Sequence, residues 1–68
     1  MIAYKFAVAN DITPNRCTIL SLHETAAEAQ AWADDDEQAG VFELTLSAEL
    51  MVGDRAYHLD GTAWKGGT

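Results

Sequence analysis

The 68 residues carry 11 acidic and 4 basic side chains, a net charge of −7 at pH 7, with 49% hydrophobic and 22% charged residues. A chain of this length is expected to form a single domain over residues 1–68. It would bury roughly 60% of the surface its unfolded form exposes, which leaves little room for a deep catalytic cleft. The acidity argues against direct binding to nucleic acid or to an anionic membrane, since both need Lys and Arg to meet phosphate, and it favours fast, salt-sensitive approach to a basic surface.

Ile2 to Val8 alternates, with Ile2, Tyr4, Phe6 and Val8 on one side and Ala3, Lys5 and Ala7 on the other. Period two with aromatic and β-branched residues predicts a strand with its larger face buried. The Asn, Asp, Pro and Asn between Asn10 and Asn15 predict a turn. Cys17 to Leu22 predicts a second strand, antiparallel to the first. Thr25-Ala-Ala-Glu28 is a capping-box sequence, followed by alanines at 29, 31 and 33. With Gly40 as a stop, a helix is expected from Ala26 to Gln38. A step of ~100° per residue places Ala26, Ala29, Trp32, Ala33 and Ala39 on one arc, with Trp32 as its large anchor against a sheet.

Val41 to Ser47 alternates again, and Leu50, Met51 and Val52 continue the strand character. Gly53-Asp54 and Asp60-Gly61 read as two-residue hairpin turns. They bracket a strand from Arg55 to Leu59, with Thr62 to Lys65 as the last strand and Gly66-Gly67-Thr68 as a frayed tail. The expected fold class is α+β, in the order ββαβββ: an antiparallel sheet with one helix packed on one face.

Cys17 is the single cysteine, so no intramolecular disulfide can form and a reducing cytoplasmic location is expected. The start Met-Ile-Ala-Tyr-Lys lacks the pattern of a signal peptide. No apolar run approaches the ~20 residues that span a membrane. His23, His58 and Cys17 show none of the short spacings of metal sites. No glycine-rich phosphate loop is present. Neither a cofactor, a metal nor an enzymatic activity is expected.

The segment most informative about function is Asp34-Asp35-Asp36-Glu37. A helix C-terminus carries partial negative charge, so each acid there costs about 0.3–1 kcal/mol at low salt, and neighbouring like charges repel. Such a run points to a role outside folding, set against the plainer reading of a solvated helix end. Glu24, Glu28 and Asp35 lie near one stripe of the expected helix and could imitate a sparse row of phosphates. Asp36 falls inside the apolar arc, so it marks the helix end or reaches around its rim. Tyr57, Trp64 and Met51 are expected mainly as core or half-buried strand residues, with the alternative that an uncovered sheet face exposes some of them as partner-binding anchors.

In size, acidity, element order and the segment Arg55-Ala-Tyr57-His-Leu-Asp60-Gly61-Thr-Ala-Trp64, the chain resembles small acidic phage-encoded anti-CRISPR proteins. That resemblance implies a DNA-mimic inhibitor that occupies a basic, DNA-binding surface of a CRISPR effector complex, with residues 34–37 as the contact. The expected function is therefore non-enzymatic inhibition of a basic nucleic-acid-binding partner. The expected partner-binding residues are Glu24, Glu28, Asp34, Asp35, Asp36 and Glu37. The alternative is a small assembly module that forms a homodimer through an open sheet face or an edge strand.

Overall fold

A computed structural model describes residues 4–44 and 50–64. Its elements are β1 (Phe6–Asn10), β2 (Arg16–His23), α1 (Ala26–Ala33), β3 (Gly40–Leu44), β4 (Arg55–Leu59) and β5 (Thr62–Trp64). The strands close into a ring in the order β1-β2-β4-β5-β3. Neighbours pair antiparallel except β3 and β5, which run parallel with Glu43 opposite Thr62 and Leu44 opposite Ala63. The expectation of an open antiparallel sheet with a helix across one face is therefore wrong. The molecule is a β-dominated closed barrel with one short helix outside it.

The reason lies in the alanines. Ala7, Ala9, Ala56 and Ala63 line the barrel interior with Cys17, Ile19, Phe42 and Leu50. A ring of five short strands encloses little volume, and small side chains on facing positions let it close without voids or strain. Ala7 reads in the sequence, with Ala3 and Lys5, as part of the lesser face of the first strand. It is in fact fully buried, as are Ala9 and Ala63, all at 0% exposure, while Lys5 is exposed. The larger face of β1 is covered too. Phe6 and Val8 pack beneath α1 with Ala29, Ala33, Ala39 and Val41, forming a second, smaller core between helix and barrel wall.

A β-bulge in β2 links the two cores. Val8 pairs with Ser21, but its successor Ala9 pairs with Ile19, so Leu20 has no opposite number. One extra residue exchanges the faces of a strand. Before the bulge Cys17 and Ile19 enter the barrel; after it Ser21 and His23 lie beside the helix-facing Val8 and Phe6.

Three boundaries differ from expectation. The helix ends at Ala33, not Gln38. Its hydrogen-bond ladder runs out through Asp34 N–H to Gln30 C=O (2.9 Å), and then tightens to Asp35 N–H on Trp32 C=O and Asp36 N–H on Ala33 C=O. Asp36 Oδ1 accepts the Gln38 N–H at 2.9 Å, a local turn that competes with helix. The acids thus begin where the helix stops. Residues 50–52 form no strand: Leu50 plugs the barrel core, and Met51 to Asp54 is a turn closed by Asp54 N–H on Met51 C=O (3.0 Å). Instead of a hairpin, Gly53 and Asp54 clasp the backbone of Ile19, with both hydrogen bonds at 2.8 Å. The Asp60-Gly61 hairpin forms as expected, with φ of +55° and +79° at its central residues, the signature of a type I′ turn. The expected strand residues Ile2, Ala3, 45–47 and Lys65, and the tail 66–68, lie outside the described residues. Among the described residues no helix is long and apolar enough to cross a membrane.

Two outcomes follow from the packed interior. Ala9→Leu adds volume at a fully buried core position, and is expected to destabilise by about 1–3 kcal/mol in chemical denaturation; a neutral result would contradict a filled barrel. Burial also pushes the Cys17 thiol above its ordinary pKa. The folded state disfavours the thiolate while the unfolded state does not. The contribution is therefore fully present below the unfolded thiol value and is lost as pH rises through the alkaline range toward the folded value. Denaturation midpoints should fall there for the parent protein but less so for Cys17→Ala.

Candidate acidic interface

Thr25 initiates α1 from an extended backbone (φ −127°, ψ 152°), and its hydroxyl accepts the Glu28 N–H at 3.3 Å. Among the described residues the reciprocal arm of the capping box does not form. Glu28 turns to His23 instead, its Oε2 lying 4.0 Å from Nδ1. The other ring nitrogen of His23 hydrogen-bonds the Ser21 hydroxyl at 2.7 Å, and the Trp32 ring lies 5.6 Å away at a tilt of 48°. Ser21, His23 and Glu28 stand in the order nucleophile, base and carboxylate. The chemistry does not follow, because Ser21 and His23 are 8% and 7% exposed and 4.0 Å is beyond hydrogen-bond reach. The trio satisfies polar groups that the bulge turned into the helix–barrel seam.

The helix lies close to the barrel through Ala29 and Ala33, one turn apart and both buried. Trp32 is therefore not the anchor toward the sheet that its place on the arc predicted. It leans on His23 and remains 59% exposed. The signal that would have placed it is the Ala-x-x-x-Ala pair: two small residues define the contact line, and the bulky residue between them falls beside it.

The six expected partner-binding residues divide. Asp34, Asp35, Asp36 and Glu37 are brought together in the turn that follows α1. Asp34 caps the helix and accepts from Gln30 Nε2 at 2.9 Å. Asp35 and Glu37 are exposed, and Asp36 is half-buried by its turn. Glu24 is exposed and precedes the N-cap. Glu28 sits in the first turn, facing His23, at the opposite end of α1 from Asp35. The expected stripe of Glu24, Glu28 and Asp35 on one helix is not formed, because only Glu28 is helical. Nor does the dipole penalty fall on all four clustered acids, since Asp35, Asp36 and Glu37 have left the helix.

Among the described residues the one approach of these six carboxylates to a basic side chain within 4.0 Å is that of Glu28 to His23. Residues 34–37 thus present a cluster of acids with no Lys or Arg within 4.0 Å among the described residues, beside an exposed indole. His58, Cys17 and His23 are kept apart: His58 Nε2 donates to the carbonyls of Thr13 (2.7 Å) and Arg16 (3.0 Å), and Cys17 is sealed in the barrel. Among the described residues no three His, Cys, Asp or Glu side chains are grouped to hold a metal ion. Tyr57 and Trp64 are half-buried against each other at 5.8 Å, whereas Met51 is exposed.

If the small Ala29–Ala33 line sets the helix position, Ala33→Leu should destabilise by about 1–3 kcal/mol. Trp32→Ala should cost less than the ~3–5 kcal/mol of a core Trp truncation. Urea denaturation of the two variants tests both; a larger loss for Trp32→Ala than for Ala33→Leu would overturn the assignment.

No family model matches this chain, and neither a curated protein nor a solved structure does.

Proposed function

We propose that Trp32 with Asp34, Asp35, Asp36 and Glu37 forms a docking face for a Lys/Arg-rich surface of a nucleic-acid-binding protein, and that the protein is a non-enzymatic inhibitor which excludes nucleic acid from that surface. The observation that carries this reading is the juxtaposition of a 59% exposed Trp with a carboxylate cluster that has no basic neighbour among the described residues. Unneutralised carboxylates steer a basic partner and accept from arginine forks as phosphates do. An exposed Trp supplies the apolar contact that interface hot spots use, and which solubility alone does not call for. A CRISPR effector complex, the partner implied by the resemblance, has a surface of this class.

The loop geometry favours phosphate imitation over a long helical stripe. Four acids in one turn place several negative charges over a short length of chain, as a run of phosphates does. A homodimer joined through an edge strand would need an edge that ring closure removes. Glu24 and Glu28 serve, in this reading, as the far rim of the face.

The test is capture from a cell lysate at low salt, eluted with a salt gradient and, separately, with double-stranded DNA. The parent is expected to hold a basic protein that DNA displaces. Replacing Asp34, Asp35 and Asp36 by Asn and Glu37 by Gln together should abolish capture and leave the melting temperature nearly unchanged, because no ion pair among the described residues is lost. Trp32→Ala should weaken binding by about tenfold or more with the salt dependence kept. Undiminished capture by the quadruple variant would refute the proposal.

A further inference from the structure

The two arginines gather on the opposite kind of surface. Arg16 and Arg55 are exposed residues of neighbouring strands β2 and β4, where Arg16 pairs with Tyr57 and Thr18 with Arg55. Their partners in sequence, Cys17 and Ala56, face the interior, so the arginines share the outer face as diagonal neighbours, about 7–8 Å apart at the backbone. Arg16 is held in place: its guanidinium lies 5.0 Å above the Tyr57 ring, and Nη2 donates to Tyr57 Oη at 3.3 Å. Tyr57 is backed in turn by Trp64.

Both arginines line two adjoining cavities. One, of about 150 Å³, is completed by Ala56 and Tyr57. The other, of about 220 Å³, is completed by Asp11, Thr13, Cys17 and Thr18. Despite 11 acidic residues in the chain, neither arginine is ion-paired with a carboxylate among the described residues. Two arginines without a carboxylate partner among the described residues thus border spaces the size of a small polar group. The net charge of −7 opposes an anion at long range, but at 0.1 M salt that field is screened beyond about 10 Å.

We infer that the Arg16–Arg55 notch binds a single oxyanionic group, a carboxylate or a phosphate, gripped between two guanidinium forks. The chemistry is that of charge-assisted, fork-shaped hydrogen bonding, with Arg16 preorganised on Tyr57 so that little side-chain freedom is lost on binding. Asp11 lines the larger cavity from a left-handed backbone position (φ +52°). Its carboxylate opposes the bound anion, and more strongly a doubly charged one. This site is independent of the acidic face.

The experiment titrates the intact protein with sodium phosphate and, separately, sodium acetate at constant ionic strength set by sodium chloride, followed by amide chemical shifts. Saturable shifts confined to Arg16, Thr18, Arg55 and Tyr57 are expected. Tighter phosphate binding identifies a phosphoryl ligand, and tighter or equal acetate binding a carboxylate. Arg16→Gln and Arg55→Gln should each weaken binding about tenfold. Arg55→Lys, which keeps the charge and loses the fork, should weaken it measurably. Asp11→Asn should tighten phosphate more than acetate. Shifts that do not saturate, or that chloride alone reproduces, would overturn the site, as would unchanged affinity in both Arg→Gln variants with the remaining spectrum intact.

Discussion

Ring closure around an alanine-lined interior is the constraint on which the rest of the molecule depends. Side chains larger than Ala at residues 7, 9, 56 and 63 would hold opposite walls apart, and the parallel β3–β5 seam that completes the ring joins only a few residue pairs. Because the interior is so narrow, it cannot absorb every apolar side chain. The surplus on β1, Phe6 and Val8, is turned outward and needs a cover. The helix provides it. The short α1 is thus a patch over the thick side of the first strand, and its own small residues, Ala29 and Ala33, are the complement of that task.

The bulge at Leu20 is the second constraint. It allows a single strand to feed two cores with different chemistry, apolar Cys17 and Ile19 inside, hydrogen-bonded Ser21 and His23 under the helix. The polar seam in turn props Trp32 from below and leaves it in solvent beside the acids. Fold and candidate interface are connected through that one extra residue. The position of an exposed indole is set by a register shift in a strand it never touches through the backbone.

Much of the local structure was legible in the sequence. Thr25 was readable as a helix start, and Asp60-Gly61 as a hairpin, because capping and positive φ are short-range chemistry. Arg55 to Leu59 was readable as a strand by its extent alone. The closed ring was not, because alternation shows that a strand has two faces and not which one is more deeply buried. Ala7 and Ala9 look like a weak face beside Phe6 and Val8, and only the closure of the sheet makes them the core. Trp32 was misplaced for the same reason: size suggested the buried side, while close approach required small residues. The acidic cluster could be located from sequence, yet its relation to α1 could not, since Asp36 has a side chain that competes with the helix it would extend. The arginine notch is not legible in the sequence, because Arg16 and Arg55 are 39 residues apart and meet only through the register of β2 against β4.

The parallel seam has a consequence for how the molecule assembles. β1 and β2 are consecutive strands that can pair early, and α1 follows directly to cover them. β3 then returns to the far side of β1, while β4 joins β2, so the growing sheet has two bare edges. Both persist until β5, three residues long and last in order, bridges them. Non-local pairing of this kind, β3 with β5, is the costlier part of closing the ring, and without it the sheet offers unpaired backbone to its neighbours. The finished barrel hides its edges, but the chain is sticky up to the moment Ala63 slots beside Leu44.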